Sequence, residues 1–459
     1  MKINIIERMK KLSVRGLLFK ILLFIGFYFW EVSLNTNDHN VPTEGNARHN
    51  VLRSEQIQPV HVRIDDKPVN PADFEYFESA ISDMLKKFNI KGASAAVVKD
   101  GRLVYAKGFG YADAEAEEPV NSKHLFRIAS VSKLITATAI MKMTELNLLD
   151  IDDKVFGEKG ILNDSIYLDY IDRRVEDITV RHLLNHSAGW NRRYGDPMNM
   201  HHTIARTMGI DVADVKLSAR LLYTLNQPLH FDPGSRTSYS NIGYAILGKI
   251  IEAVTGMEYE AFVRQAILIP LGIHEMRIGK NLLEDRFENE VRYYDMTENQ
   301  SNNIPDYDKV PLAYGGNDIE TLGAAGGWIA SPVEILKLVV AIDSLSGTPD
   351  ILSPESIKLM TDTRLSGGHP IGWAGSDGRG NWWRTGTLAG TSALVMRQNE
   401  GTCWAVFFNS STGKGIHFPA IVHSEVKTAL NKLAKWPDYD LFYHFDVSPL
   451  LYPDLAELK

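Results

Sequence analysis

The chain has 459 residues with 44% hydrophobic content and a formal net charge of −8 at pH 7. This length supplies material for one large globular unit or two closely packed lobes. The acidic balance, without long basic runs in the body of the chain, argues against nucleic acid as a main partner. The single cysteine, Cys403, excludes an intramolecular disulfide, and its alternating apolar surroundings predict a packed strand residue.

The N-terminal segment, residues 1–34, has the pattern of an export signal. A basic stretch between Lys2 and Arg15 precedes an unbroken apolar run over residues 21–30. No small-x-small cleavage site follows, so we expect either a signal peptide or an uncleaved signal anchor that contacts the membrane. A mitochondrial presequence is disfavoured because that class is amphipathic. The rest of the chain is therefore expected in the periplasm or another extracytoplasmic place.

Residues 35–70 are polar and rich in asparagine, which predicts a linker. The folded domain is expected over residues 71–435. A stripe of apolar residues over 74–88 indicates its first helix, and Gly92 is expected to close that helix. The Asp-Gly pair at 100–101, between two β-prone runs, predicts an antiparallel hairpin. A helix followed by such a hairpin favours an α+β fold over a parallel doubly wound sheet.

The stretch from about 150 to 320 is charged and lacks alternating strand patterns, which predicts a mainly helical lobe inserted into the domain. A new helix is indicated just beyond it. Ser331 is expected to be its N-cap and Pro332 its first helical residue. Glu334, three residues after Ser331, would complete a capping box.

Strand patterns return at about 370–409 and end in a predicted hairpin of residues 391–397 with 402–409. A last helix is expected over 420–434. The antiparallel sheet is therefore predicted to be built from both ends of the domain and flanked by helices. No role is assigned to the aromatic and acidic tail, residues 436–459.

A serine and a lysine three residues apart, Ser130 and Lys133, stand where a helix is predicted to begin. Positions i and i+3 share a helix face, so the amine can reach the hydroxyl, and a helix N-terminus favours developing negative charge. The same spacing recurs at 411–414, where glycines argue against a helix, and at 424–427 inside the last helix. The alternative for Ser130 is a helix cap beside a chance lysine.

Tyr239 and Asn241 stand two residues apart at a predicted loop-to-helix junction, so both can reach a cleft. A free phenol is a poor base at neutral pH. Neighbouring cations such as Lys133 and Arg384 would lower its pKa and make it useful for proton transfer. The alternative is a helix cap beside a surface tyrosine.

A third motif, Arg384-Thr385-Gly386-Thr387, falls on a predicted strand. The arginine could hold a substrate carboxylate or stabilise a phenolate, and Gly386 would let a ligand approach the backbone. An ordinary edge-strand arginine is the alternative.

Other catalytic patterns are absent or incomplete. The chain has no Gly-x-Ser-x-Gly, the nucleophile elbow of α/β-hydrolases. His182 and His186 have the spacing of a zincin helix, but Leu183 stands in place of the catalytic glutamate. We therefore expect no metal and no cofactor.

Segments 126–133, 182–189, 239–241 and 386–391 together resemble the serine β-lactamase and penicillin-binding-protein superfamily. The branch they resemble holds class C β-lactamases, DD-peptidases of the same fold and β-lactamase-like esterases. The resemblance covers roughly residues 72–435. It implies an antiparallel sheet flanked by helices, beside a helical lobe, with the active site between them and no metal.

The resemblance also implies roles for single residues. Ser130 would be the acylated nucleophile, with Lys133 and Tyr239 sharing the general acid and base work. The backbone N–H groups of Ser130 and Thr387 would form the oxyanion hole. The residues implied to bind substrate are Asn241, Arg384, Thr385, Gly386 and Thr387.

These features predict a serine hydrolase that cleaves an ester or amide through an acyl-Ser130 intermediate. Its substrate would be a small acyl ester or a D-amino-acid-containing peptide, with peptidoglycan fragments the expected peptides in an envelope. The alternatives are a β-lactamase and a non-catalytic member that keeps the cleft for binding or scaffolding. Arg384 departs from the Lys or His that commonly opens the third motif, so it keeps the charge but cannot shuttle a proton.

Overall fold

The computed structural model describes residues 74–296, 300–301, 310–345 and 348–444. The predicted export segment, the linker and the end of the tail lie outside these residues. Among the helices that are described, none is both long and apolar enough to cross a membrane.

A seven-stranded antiparallel sheet forms the centre of the described fold. In chain order the strands are β1 (Gly92–Lys99), β2 (Arg102–Asp113), β3 (Glu118–Pro119), β4 (Phe126–Arg127), β5 (Arg277–Ile278), β6 (Gln300–Ser301), β7 (Val310–Pro311), β8 (Trp328–Ala330), β9 (Gly375–Ser376), β10 (Trp382–Leu388), β11 (Thr391–Arg397) and β12 (Thr402–Phe408). The large sheet has the order β3-β2-β1-β12-β11-β10-β9. Strands from both ends of the domain are therefore neighbours, which confirms the predicted fold class.

Helices cover both faces of the large sheet. They are α1 (Glu75–Phe88), α2 (Ser132–Glu145), α3 (Val180–Leu184), α4 (His201–Met208), α5 (Leu217–Leu225), α6 (Asn241–Thr255), α7 (Tyr259–Val263), α8 (Leu312–Gly315), α9 (Ile319–Gly326), α10 (Pro332–Val340), α11 (Pro354–Thr361), α12 (Thr363–Ser366) and α13 (Phe418–Leu430). α1 and α13 share an apolar core with one face of the sheet. The other face packs on α10, with α2 and α6 in the same core.

The turn between β1 and β2 has the predicted hairpin geometry. Asp100 and Gly101 both have positive φ, 51° and 77°, which matches the twist of the flanking strands. The end of α1 differs from the prediction, because Asn89 stops the helix in a left-handed conformation, at φ 52°. Gly92 instead begins β1. Asparagine tolerates this conformation because its short polar side chain can bond locally.

The start of α10 is confirmed in part. Ser331 Oγ accepts the N–H of Glu334 at 3.2 Å, and Pro332 is the first helical residue. The expected capping box is not completed, because Glu334 Oε1 accepts the N–H groups of His274 and Glu275 instead. The glutamate therefore ties α10 to the segment before β5.

The C-terminal helix is shifted and the tail begins in contact with the domain. The helix spans Phe418–Leu430 rather than 420–434. Beyond it, the rings of Trp436 and Phe74 lie 6.5 Å apart in an edge-on contact. The described beginning of the tail thus packs against the N-cap residue of α1.

Candidate active site

Ser130 lies on the turn between β4 and α2. Residues Ala129–Val131 form one 3-10 turn directly before the helix starts at Ser132. Ala129 has a positive φ of 49°, a conformation that costs a non-glycine residue about 1–2 kcal/mol. Backbone strain of this kind is concentrated at functional sites.

Lys133 is fully buried on α2, directly behind Ser130. Its Nζ donates to Asn241 Oδ1 at 2.7 Å and to the carbonyl oxygen of Ala325, and it lies 3.5 Å from Ser130 Oγ. Burial lowers the pKa of Lys133; Tyr239 opposes this effect and the Arg384 cation adds to it. The lowered pKa makes this amine easier to deprotonate than an exposed lysine.

Tyr239 makes the shorter side-chain contact to the serine. Its hydroxyl lies 2.6 Å from Ser130 Oγ. Burial alone would raise the pKa of Tyr239, but the cations Lys133 and Arg384 outweigh it, and the pKa is lowered. Lys133 Nζ is 4.9 Å from the ring centroid, and Arg384 Nη2 donates to the hydroxyl at 3.2 Å. The sequence predicted this lowering of the Tyr239 pKa by neighbouring cations.

Arg384 is buried on β10, where its guanidinium joins the sheet to the serine turn. Besides the contact to Tyr239, its Nε donates to the carbonyl oxygen of Ser130 at 2.6 Å. Of the two expected uses, this geometry fits the stabilisation of a phenolate. Arg384 is 1% exposed, and its guanidinium already donates to two acceptors.

Gly386 lies where two segments of the chain approach each other closely. A Cβ at this position would lie 2.1 Å from the carbonyl oxygen of Ile128 and 3.1 Å from the Cβ of Ala129. The missing side chain therefore lets β10 approach the turn that carries Ser130.

The predicted residues meet at a cleft of about 460 Å³ between the sheet and the helical region. It is lined by Ser130, Arg192, Asn199, Tyr239, Asn241, Asn317, Leu322, Ala325, Gly326, His369, Ala374, Arg384, Thr385, Thr387, Leu388 and Ile416. Lys133 and Gly386, both buried, lie behind this surface. The structure thus brings together the residues predicted to act in catalysis and substrate binding.

Two further residues support the site: Asp196, which belongs to no motif, and His186, which lies in segment 182–189. Asp196 Oδ2 accepts the backbone N–H of Asn241 at 2.6 Å. The buried His186 ring lies 4.6 Å from the Tyr239 ring, and its Nδ1 accepts the N–H of Ser240. Burial, with the His369 and Arg384 charges beside it, lowers the pKa of His186 well below its usual range, so this ring is a neutral packing partner.

A sequence model of the Beta-lactamase family matches residues 77–421, which include both walls of the cleft. The chain belongs to the Beta-lactamase family. This confirms the resemblance noted in the sequence.

The chain is similar to proteins named as penicillin-binding proteins and to one named as an esterase. Penicillin-binding protein 4* of Bacillus subtilis is 29% identical over 47% of this chain and 44% of the relative. Esterase EstB of Burkholderia gladioli is 29% identical over 43% of this chain and 50% of the relative. The chain thus spans about half the length of these curated relatives. A penicillin-binding protein homologue from Pyrococcus abyssi, octameric in its solved structure, is 27% identical with a TM-score of 0.60, over 81% of this chain and 80% of that one.

The other motifs considered in the sequence of this Beta-lactamase family member lie outside the cleft. His182 completes a capping box with Thr179 at the start of α3. Within the described ranges, no group of three or more His, Cys, Asp or Glu side chains could hold a metal ion. Of the other Ser-x-x-Lys segments, Ser411 Oγ accepts the N–H of Gly390, and Ser424 is exposed on α13.

Proposed function

We propose that the protein is a serine hydrolase that cleaves an ester or an amide through an acyl intermediate on Ser130. The observation that carries the proposal is the position of Ser130 Oγ, 2.6 Å from the Tyr239 hydroxyl and 3.5 Å from Lys133 Nζ. A serine hydroxyl needs an adjacent base to become a nucleophile. Both neighbours have lowered pKa values, so both are suited to that task.

In the first step, Ser130 Oγ attacks the carbonyl carbon of the substrate, and its proton passes to the pair of Tyr239 and Lys133. The pair then gives a proton to the leaving alcohol or amine as the C–O or C–N bond breaks. The backbone N–H groups of Ser130 and Thr387 are proposed to hold the oxyanion; losing one such donor typically costs about 10²–10³ in rate. Water attacks the acyl-enzyme in the second step, releasing the acid and restoring the serine.

The proposed substrates are small acyl esters or D-amino-acid-containing peptides, including peptidoglycan fragments. Asn241, Thr385 and Thr387 line the cleft beside Ser130 and are proposed to bind them. Relatives named for penicillin binding and for esterase activity support both substrate types. The same relatives make turnover of a β-lactam the second candidate activity.

The test is the intact mass of the full chain after mixing with a penicillin and, separately, with a p-nitrophenyl ester. The variant Ser130→Ala should form no adduct. Ser424→Ala is the matched control, because Ser424 also precedes a lysine by three residues but is exposed on α13; it should react like the native protein.

The lifetime of the adduct distinguishes the candidate activities. A persistent penicilloyl adduct indicates a peptidase, fast turnover of penicillin indicates a β-lactamase, and reaction with the ester alone indicates an esterase. No adduct and no turnover with any probe would contradict the proposal and favour a non-catalytic binding protein.

We also propose that residues 1–34 direct export of the domain and, where they stay uncleaved, anchor it in the membrane. The basic residues followed by the apolar run at 21–30 support this role. Cell fractionation with N-terminal sequencing tests it. A protein found in the cytosol with an intact N-terminus would contradict the proposal.

A further inference from the structure

Asp196 lies behind the cleft, on the loop before α4, and belongs to none of the sequence motifs. Its Oδ1 accepts the N–H of Met198 at 3.0 Å and so caps a 3-10 turn over Pro197–Asn199. Its Oδ2 accepts the N–H of Asn241 at 2.6 Å. One carboxylate therefore joins the loop to the first residue of α6.

The contact to Asn241 leads directly to the lysine. Asn241 Oδ1 accepts from Lys133 Nζ at 2.7 Å. Because Asn241 is the first residue of α6, its backbone N–H has no partner within the helix, and a carboxylate satisfies it while also opposing the positive end of the helix dipole. The position of the amide oxygen that holds Lys133 therefore depends on Asp196.

The second acceptor of Lys133 is connected to the same loop through Arg220. Arg220 is fully buried, and its Nη1 donates to the carbonyl oxygens of Pro197 and Met198, each at 2.9 Å. Its Nη2 lies 3.5 Å from Asp318 Oδ2.

Asp318 in turn caps the start of α9 by accepting the N–H of Thr321 at 3.1 Å. Ala325, whose carbonyl oxygen accepts from Lys133 Nζ, lies beyond a kink at Gly323 in that helix. Asp196 is thus bonded directly to the residue that supplies one acceptor of the lysine amine, whereas Asp318 caps the segment that leads to the other acceptor.

We propose that Asp196 is a positioning residue for the reaction, acting through Asn241 to hold the Lys133 amine beside Ser130. It contacts no reacting atom. Its effect has two parts: the carboxylate fixes the backbone of Asn241, and its negative charge acts on the lysine. The predicted effect of Asp196 on turnover rests on the proposed function, whereas its predicted effect on the pKa of Lys133 does not.

The charged groups around Lys133 set the direction of the electrostatic effect. Burial, the largest influence, and the Arg384 cation lower the pKa of Lys133, whereas Tyr239 and Asp196 raise it; His186 and Tyr244 also face the amine. Asp196 itself faces Lys133 and Arg220. Removing the Asp196 charge therefore lowers the pKa of Lys133 further and moves the acid limb of activity to lower pH.

The experiment compares Asp196→Asn and Asp196→Ala in the full chain. Asparagine keeps an oxygen acceptor and removes the charge, whereas alanine removes both. Asp211 supplies a matched control, because it caps the 3-10 turn Val212–Asp214 in the same way, accepting the N–H of Ala213 at 3.0 Å. Asp211→Asn and Asp211→Ala should behave like the native protein.

We expect Asp196→Ala to lower kcat for a p-nitrophenyl ester by about 10- to 100-fold with little change in KM, since a small misplacement of a catalytic group has effects of this size. Asp196→Asn should keep kcat within about fivefold while its acid limb moves to lower pH. An unchanged kcat and pH profile in Asp196→Ala, or an equal loss in Asp211→Ala, would overturn the inference.

A second measurement needs no turnover. The ¹³Cε resonance of Lys133, assigned with Lys133→Met, should titrate at lower pH in Asp196→Asn than in the native protein, and should not move in Asp211→Asn. An inactive native protein that shows this shift contradicts the proposed function and supports the inference. An active native protein without the shift overturns the inference alone.

Discussion

The two walls of the cleft are held by different kinds of contact. On the sheet side, β10 pairs with β11 along its whole length, from Trp382 opposite Arg397 to Leu388 opposite Thr391. On the opposite side, Asn241 begins α6, where Asp196 and Ser240 accept backbone N–H groups of the first turn. Ala325 follows a kink at Gly323 in α9, the helix that Asp318 caps. One wall therefore depends on a ladder of backbone hydrogen bonds and the other on a few side chains.

This difference predicts how each wall responds to mutation. A backbone ladder persists when most side chains change, so the sheet wall should be sensitive mainly where another segment approaches its backbone, as at Gly386. A wall that is fixed by side-chain caps should be displaced when one cap is removed. Removing a cap typically costs about 1 kcal/mol of stability. Four substitutions, in order of decreasing effect, test how single residues around the cleft affect the reaction.

Lys133→Met should have the largest effect, because the proposed base is lost while the side-chain volume is kept. We expect kcat/KM for a p-nitrophenyl ester to fall by about 10²–10⁴. Lys142→Met is the control on the same helix, since Lys142 Nζ contacts the carbonyl oxygen of Ile351 outside the cleft. A Lys133→Met variant with more than a tenth of native activity would contradict the role of the lysine.

Gly386→Ala should break the sheet wall. Its Cβ would lie 2.1 Å from the carbonyl oxygen of Ile128, so β10 must move away from the Ser130 turn. A displacement of about 1 Å near a reaction centre can cost about 10²-fold in rate.

The matched control is Gly326→Ala, which also lines the cleft but whose Cβ would meet no atom closer than 3.8 Å. Steady-state kinetics of both variants tests this prediction, and thermal unfolding confirms that both are folded. Equal activities in the two would show that the close approach of β10 is unimportant.

Arg384→Gln should affect pH dependence as well as rate. The Arg384 cation helps to lower the pKa of both Tyr239 and Lys133, so its loss raises both pKa values and moves the acid limb of kcat/KM to higher pH. A hydrogen bond from a charged group contributes about 1.5–3 kcal/mol, equivalent to roughly 10- to 100-fold in rate.

Arg384→Lys retains the charge and should leave the acid limb near its native position, although two hydrogen bonds are not reproduced. A pH profile that is the same in Arg384→Gln and Arg384→Lys would rule out an electrostatic role for this position.

Arg192→Gln should have the smallest effect. Arg192 is exposed and lines the wall opposite β10, so its charge can act on bound substrate only through solvent. Exposed charges contribute about 0.2–1 kcal/mol, which corresponds to a rise in KM of at most about fivefold, with kcat unchanged. The neighbouring Arg193 is exposed and does not line the cleft, so Arg193→Gln should change neither value; a changed kcat in Arg192→Gln would contradict the assignment.

The sheet wall was largely predictable because its signals are local. The Asp-Gly turn, the alternating strands and the serine at the start of α2 each depend on residues close in sequence, and Ser130, Tyr239 and Arg384 meet as expected. The predicted end of α1 at Gly92 was wrong, because Asn89 can also adopt the left-handed conformation that ends a helix, and the local sequence does not distinguish the two. The close approach of Gly386 to the Ser130 turn was not predicted, because the carbonyl oxygen that it faces comes from a distant segment.

The supports of the other wall could not be predicted for a related reason. Asp196 accepts from Asn241, 45 positions away, and Arg220 approaches Asp318 across a still longer separation. An aspartate that caps a turn has the same local pattern whether or not it also reaches a catalytic helix, as Asp196 and Asp211 illustrate. Only the folded arrangement distinguishes them.

The position of Cys403 has a practical consequence. This thiol, the only one in the chain, is 1% exposed in β12, and burial raises its pKa. The domain can therefore fold in oxidising or reducing surroundings without forming a disulfide of its own. A thiol reagent should react only when the central strands separate, so the rate of labelling at Cys403 reports global unfolding without the introduction of any probe.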